Sequence, residues 1–262
     1  MSKGITTINL DVGYDSTVVS NINIDIRPGQ IVALIGPNGS GKTTVLKTIT
    51  RQLDSRNGKI YVNDVLEENL SANQLAKAIS LVTTERISPS LMTCREVVAT
   101  GRYPYTGHLG ILSTRDWNIV DGALELTGGY DIAGKSFLQI SDGQRQRVMI
   151  ARAIAQDTDI IILDEPTSFL DIQYKLDILS MIKNIAKNEN RAVILSIHEL
   201  EFVPVIADYV IGICDGRVYK TGTCNQVITG ANIEQIYHMK SGSGEAIVEG
   251  LFTYAKALEK GL

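Results

Sequence analysis

The stretch "QIVALIGPNGSGKTTVLKTIT" (30–50) decides the fold. After Gln30 comes an unbroken apolar run to Ile35, the pattern of a strand covered on both faces. The next nine residues, Gly36, Pro37, Asn38, Gly39, Ser40, Gly41, Lys42, Thr43 and Thr44, satisfy G-x-x-x-x-G-K-[ST] at the required spacing. A helical pattern follows. Each residue type has a physical use. Glycines let successive backbone N–H groups converge on phosphate oxygens, and the helix behind them turns its positive end the same way. Lys42 has the reach for β- and γ-phosphates, and the Thr43 hydroxyl suits Mg²⁺.

Outward from this loop, the chain alternates between strand and helix patterns. On the N-terminal side, "ITTINLDV" (5–12) and "INIDIRPG" (22–29) alternate apolar and polar residues and read as half-buried antiparallel strands. "GKIYVND" (58–64) reads as a further small β segment. From about 72 to 156 the pattern is helical, interrupted by "GRYPYTGHLG" (101–110). Three more strand readings follow at "DIIILDEP" (159–166), "RAVILSIHE" (191–199) and "DYVIGICDGRVYKTG" (208–222). Buried apolar strands separated by helices predict a parallel α/β sheet, with the helical block as an inserted lobe.

Two of these strands end in chemistry. "IIILDEP" (160–166) sets Asp164 and Glu165 at a strand's C-terminal end, where ligands of open α/β sheets gather. Asp164 is placed to hold Mg²⁺ through water, and Glu165 to polarise an attacking water. His198 ends another buried strand, in position to touch a γ-phosphate and orient that water.

The composition narrows the class. Lys plus Arg total 25 against 29 Asp plus Glu, a net charge of −4 without basic blocks, so no nucleic-acid footprint is expected. Three cysteines without C-x-x-C pairing read as reduced thiols of a cytosolic protein. The start of the chain carries no apolar h-region, so no secretory signal is expected. No apolar run approaches the ~20 residues that a membrane helix needs.

With "SDGQRQRVMIARAIAQ" lying just before "DEP", the chain resembles the ATP-binding-cassette (ABC) ATPases over nearly its whole length. Gly36–Thr44 is similar to their Walker A segment, Ile160–Glu165 to Walker B, Ser168–Asp171 to the D-loop, and His198 to the switch histidine. The resemblance implies a P-loop NTPase cassette. Its RecA-like parallel sheet core carries an N-terminal antiparallel β subdomain and an inserted α-helical subdomain. The expected division is 1–86 and 157–240 for the nucleotide-binding core, 87–156 for the helical lobe with the signature segment, and 241–262 for a C-terminal extension. It also implies that Tyr14 stacks on adenine. Two copies would face each other head to tail, with ATP between Walker A of one and Ser141, Gly143, Gln144 and Asp171 of the other. A separate membrane permease and, indirectly, an extracytoplasmic binding protein would complete the system. "REVVATGRYPYTGHLG" (95–110) is similar to cassettes serving ferric-siderophore, haem and cobalamin uptake, which points to an importer of an iron chelate. Haem, cobalamin or a metal ion is the alternative cargo. A non-transport cassette and a weakly hydrolysing scaffold are the competing functions.

Two positions depart from the family pattern. Thr84 stands where a glutamine is expected to contact Mg²⁺ and water, with Glu85 beside it, and either could take that role. Asp142 stands in place of a signature glycine. Locally "SDGQ" is a capping box, Ser141 at the N-cap and Gln144 three residues on. Asp142 then falls in the first helical turn and is expected to cap the helix or pair with a nearby base. The C-terminal stretch predicts an amphipathic helix with Phe252, Ala255 and Leu258 facing the core.

Overall fold

The structure is a computed structural model that describes residues 4–85, 87–107 and 110–258. The ends of two sequence readings, 108–109 within "GRYPYTGHLG" and 259–262 at the C-terminus, lie outside the described residues. Along the chain, β1 (Ile5–Gly13) and β2 (Thr17–Ile26) lead to β3 (Ile31–Ile35) and α1 (Lys42–Ile49). β4 (Asn57–Val62), β5 (Val65–Leu66), α2 (Ala72–Ala78) and β6 (Ile79–Val82) come next. Next come α3 (Cys94–Ala99), a 3₁₀ segment at Thr100–Tyr105, α4 (Thr114–Leu126) and α5 (Asp142–Ala155). β7 (Ile160–Asp164), α6 (Ile172–Asn188), β8 (Ala192–Ser196), α7 (Val203–Ile206), β9 (Tyr209–Cys214) and β10 (Arg217–Gly222) return the chain to the sheet. Three helices close it: α8 (Cys224–Val227), α9 (Gly230–Ile236) and α10 (Gly244–Leu258).

Among the described residues, ten strands join one sheet in the order β5-β4-β1-β2-β10-β9-β3-β8-β7-β6. The run from β9 to β6 is parallel, as the buried strand patterns predicted for β9, β3, β8 and β7. β1 and β2 pair antiparallel, as their alternating patterns predicted, and β4 and the two-residue β5 extend the same antiparallel group. The parallel strands are buried on both faces. On β3, Ile31, Ala33 and Ile35 enter one core cluster while Val32 and Leu34 enter the other, and all five are at most 1% exposed. Burying each such Ile, Val or Leu contributes about 1.5–3 kcal/mol, so the strand that ends in the Gly-rich loop is firmly held in the sheet.

Two readings need correction. The segment from 72 to 156 is not uniformly helical, because β6 sits within it and forms the parallel edge beside β7. At four residues it is too short to show a period of its own, and it follows α2 without a turn. The stretch 208–222 is two strands, not one. β9 and β10 form an antiparallel hairpin whose turn, Asp215–Gly216, has φ of 49° and 69°, the left-handed pair that favours tight hairpins. β10 then meets β2 through Arg217 and Ser20, which joins the antiparallel strands to the parallel ones.

The "GRYPY" stretch is partly a brace. Arg102 is 4% exposed, pairs with Asp116 at 3.0 Å and donates to the Ala155 carbonyl at 2.8 Å, so it ties α4 to the end of α5. Tyr103 and Tyr105 stay on the surface. In α10, Ala255 is buried, and Phe252 and Leu258 pack against the core, as the amphipathic pattern predicted. The three cysteines are free thiols, and burial pushes Cys224 up to about 11, which keeps it protonated. Among the described residues no helix is long and apolar enough to cross a membrane.

Candidate active site

The strand order places the chemistry. β3 and β7 both end in predicted site residues but are not neighbours, since β8 runs between them. The Gly-rich loop leaves β3, the carboxylates leave β7, and Ile197–His198 leave β8, all at the same C-terminal edge. Tyr14, Asn38, Gly39, Gly41, Lys42, Thr43, Thr44, Glu165 and His198 line one open cleft of about 440 Å³.

α1 begins at the loop without any side-chain cap, its N-cap position being Gly41 at φ 100°. Its first N–H groups therefore face the cleft with no side chain taking them, which suits an anion there. The Lys42 amine curls back to the Gly36 carbonyl at 2.8 Å and the Pro37 carbonyl at 3.0 Å. Burial lowers its pKa, while Glu165 and Asp164 work in the opposite direction. The Ser40 hydroxyl is buried and has no hydrogen-bond partner among the described residues, an orphaned donor within the loop.

Opposite the loop, the Thr43 hydroxyl donates to Asp164 Oδ1 at 3.2 Å. The same oxygen accepts from the Ser196 hydroxyl at 2.6 Å, and the Ser196 oxygen accepts the Glu165 N–H at 2.8 Å. Glu165 has φ 49°, a left-handed conformation rare for a side-chain-bearing residue, which costs of order 1–3 kcal/mol and recurs at functional sites. Its carboxylate is held by the Ser168 hydroxyl at 3.0 Å and by His198 Nε2 in a short contact. Behind this pair, Glu199 accepts from Thr167 at 3.0 Å and pairs with Lys175 at 2.6 Å. Burial alone would raise the Glu199 pKa, but Lys175 and Thr167 outweigh it and keep the carboxyl below its usual range.

Ser196 is the residue that sequence reasoning missed, and Ser168, read only as the start of the D-loop, proves to hold the Glu165 carboxylate. Ser196 carried a signal, as the sole polar residue in the run "AVILSI" (192–197), and it is 0% exposed. Ser196→Ala should leave the Asp164 carboxylate short of a partner in a nearly dry site. The expected cost is about 1–3 kcal/mol of stability, read by denaturant unfolding, with a loss of turnover. A variant as stable and as active as the parent would show that the hydroxyl positions nothing.

Thr84 lines a smaller adjoining pocket with Thr83, Asp164, Glu165, Asp142 and Arg145. Glu85 lines it too, but its carboxylate lies 2.8 Å from Lys47 on α1, whose hydrogen bond and charge hold it below the usual carboxylate range. Ser141 and Gln144 form the expected capping box, with exchanged bonds of 3.1 and 3.3 Å. Asp142 pairs with Arg145 at 2.8 Å, one of the two outcomes expected for it. Gly143 lies against the Tyr174 ring, where an added Cβ would come within 2.7–3.0 Å of three ring atoms. Asp171 caps α6, accepting the Tyr174 N–H at 3.2 Å. Within one chain, Ser141, Gly143, Gln144 and Asp171 stand outside the cleft that holds the Gly-rich loop.

The chain's likeness to known proteins agrees with this geometry. The ABC transporter family profile matches residues 19–168. The iron(3+)-hydroxamate import ATP-binding protein of Bacillus subtilis (strain 168) is 37% identical over 238 residues, 90% of this chain and 88% of that one. The ferric enterobactin transport ATP-binding protein of Escherichia coli (strain K12) is 32% identical over 232 residues, 88% of this chain and 86% of that one. A dimeric ATP-binding cassette in a post-hydrolysis state, bound to ADP and Pi, superposes with a TM-score of 0.74 at 25% identity, covering 84% of this chain and 98% of that one. By profile, identity and fold alike, the chain belongs to the ABC transporter family, in which it is an ATP-hydrolysing cassette.

Proposed function

We propose that this cassette energises the uptake of an iron chelate of the ferric-siderophore class through a separate membrane permease, from the cytoplasmic face of the membrane. The observation that carries the enzymatic part is the meeting, at one cleft, of the phosphate loop and the Glu165–His198 pair, with Asp164 bonded to Thr43 of that loop. The cargo class comes from the named relatives, of which one serves hydroxamate and the other enterobactin. Deleting the chain from its host should abolish uptake of radiolabelled iron on a hydroxamate or catecholate siderophore. Intact siderophore uptake with lost haem or cobalamin uptake would move the proposal to those cargoes.

ATP is the substrate, with its phosphates along Gly36–Thr44 and its adenine beside Tyr14. The uncapped α1 N-terminus, the orphaned Ser40 hydroxyl and Lys42 suit a polyphosphate. Thr43 and Asp164 are hard oxygen donors and fit Mg²⁺, which when bound neutralises charge on the phosphates. Thr84 is the proposed further oxygen at this edge, because Lys47 already engages Glu85. Thr84→Gln should then alter the Mg²⁺ dependence of turnover, and an unchanged dependence would remove Thr84 from the site. Glu165 takes a proton from the attacking water. Ser168 and His198 hold its carboxylate in place, and Ser196 fixes both the Asp164 side chain and the Glu165 backbone.

The remaining residues act on the opposing copy. Ser141, the Gly143 N–H, Gln144 and Asp171 stand clear of their own cleft, which suits a head-to-tail pair with ATP between the copies. The proposed division keeps 1–86 and 157–240 as core, 87–156 as lobe and 241–262 as extension. Asp142 is turned to Arg145 of its own chain and so is not aimed at the partner's anion. The i,i+3 pair and the helix dipole together are worth about 1 kcal/mol. Asp142→Gly should therefore change the ATPase rate by less than about tenfold in a steady-state assay, and a larger change would give Asp142 a direct part in the reaction.

A further inference from the structure

The head of the phosphate loop is held from a part of the chain that the motif does not include. The Gly36 N–H donates to the Tyr237 hydroxyl at 3.1 Å, across 201 residues of sequence. Gly36 has little room to move otherwise. Its φ is 150°, and a Cβ placed there would meet the Ile213 carbonyl oxygen at 2.1 Å. Its own carbonyl accepts from Lys42 Nζ at 2.8 Å. The loop's first residue is thus gripped through both its N–H and its C=O.

The two grips differ in kind. Lys42 has three N–H donors, two of them on the Gly36 and Pro37 carbonyls, so reaching both the β- and the γ-phosphate draws at least one of them off the loop. Among the described residues the Tyr237 hydroxyl bonds to Gly36 alone. It follows α9 directly, and burial pushes its hydroxyl up to about 12, against the opposing effect of the Gly36 bond, so it stays a neutral phenol. α9 is itself anchored. Ile233 and Ile236 are 0% exposed, and Glu234 Oε1 accepts the N–H groups of Gly242 at 2.6 Å and Gly244 at 2.8 Å, at the start of α10. A Cβ on Gly244 would meet the Gly230 carbonyl oxygen at 2.2 Å, and one on Gly230 would meet the Glu245 backbone nitrogen at 2.7 Å, so neither position has room for a side chain.

We propose that Tyr237 is a positioning residue for ATP binding: its hydroxyl keeps the Gly36 N–H in place while Lys42 divides its donors between loop carbonyls and phosphate, which makes the α9–α10 pair part of the frame of the phosphate site. The proposal rests on Gly36–Thr44 being the phosphate loop.

Tyr237→Phe in the full chain keeps the ring and removes only the hydroxyl that accepts from Gly36. KM for ATP and Kd for ADP should each rise about fivefold, the factor that one hydrogen bond of ordinary net strength is worth. kcat should stay within about twofold, because the bond acts alike on bound substrate and transition state. A brace with no part in binding would lower the melting temperature and leave nucleotide affinity alone. ADP affinity within about twofold of the parent therefore overturns the proposal, whatever the melting temperature. Amide hydrogen exchange on the unsubstituted protein gives a second reading that needs no variant. Slow exchange at Gly36 is expected, and exchange at the rate of an unprotected peptide would overturn the proposal. Lys42→Ala keeps the two ideas apart. If it leaves ADP affinity intact, the phosphate-loop assignment fails. If it lowers affinity while Tyr237→Phe does not, only the role of Tyr237 fails.

Discussion

Glu165→Gln should lower ATP turnover by about 10²–10⁴-fold, the contribution of a well-placed general base, while nucleotide still binds. The substitution keeps the shape of the side chain and its capacity to accept from Ser168, but a neutral amide cannot take a proton from water. It also removes one of the two carboxylates that favour the charged form of Lys42, and Asp164 remains to support the ammonium. ATP affinity should therefore stay within about threefold of the parent, measured by equilibrium titration. If two copies close on ATP, the variant should also accumulate as a dimer when ATP is added, since the step that consumes the shared ligand is blocked. Turnover within tenfold of the parent would take the base role away from Glu165.

Lys42→Ala should act on the other half of the reaction. A contact between an ammonium and phosphate oxygens is worth about 1.5–3 kcal/mol, so ATP affinity should fall by roughly 10- to 150-fold. The variant also removes the bonds that Lys42 makes to Gly36 and Pro37 in the absence of nucleotide. Lys42→Met, which keeps the length of the side chain but not its charge, separates the two effects. If Met restores the melting temperature but not the affinity, the loss belongs to the charge. Unchanged affinity in both variants would mean that the phosphates lie elsewhere.

How much of this was legible in the chain varies with the range of the interaction. The Gly-rich loop, its strand and its helix form one contiguous stretch, and the geometry that suits phosphate is local backbone geometry. The capping box at Ser141 and Gln144, with Asp142 in the first turn, is likewise set by residues within one helical turn of one another. The double burial of β3, β7 and β8 could be read from their unbroken apolar runs. β6 could not, because four residues between a helix and a loop have no period to show, and it becomes a strand by pairing with β7. The hairpin of β9 and β10 was hidden for a related reason. Its Asp-Gly turn lies inside one continuous β-like stretch, where a strand and a tight reversal share the same composition.

The site shows the same division. Its individual groups, Lys42, Thr43, Asp164, Glu165 and His198, were identifiable because each ends a strand or opens a helix within a motif. What the sequence could not state is that β8 passes between β3 and β7. That order alone puts Ser196 within reach of both Asp164 and Glu165, and sets His198 against the carboxylate. It also leaves Thr84 at the edge of the site while Lys47 draws Glu85 to α1. The sequence by itself determined the family of chemistry and the residues able to perform it, because those depend on residue type and short spacing. Only the tertiary structure decided which of them touch, because strand order and the reach from Gly36 to Tyr237 come from the packing of segments far apart in the chain.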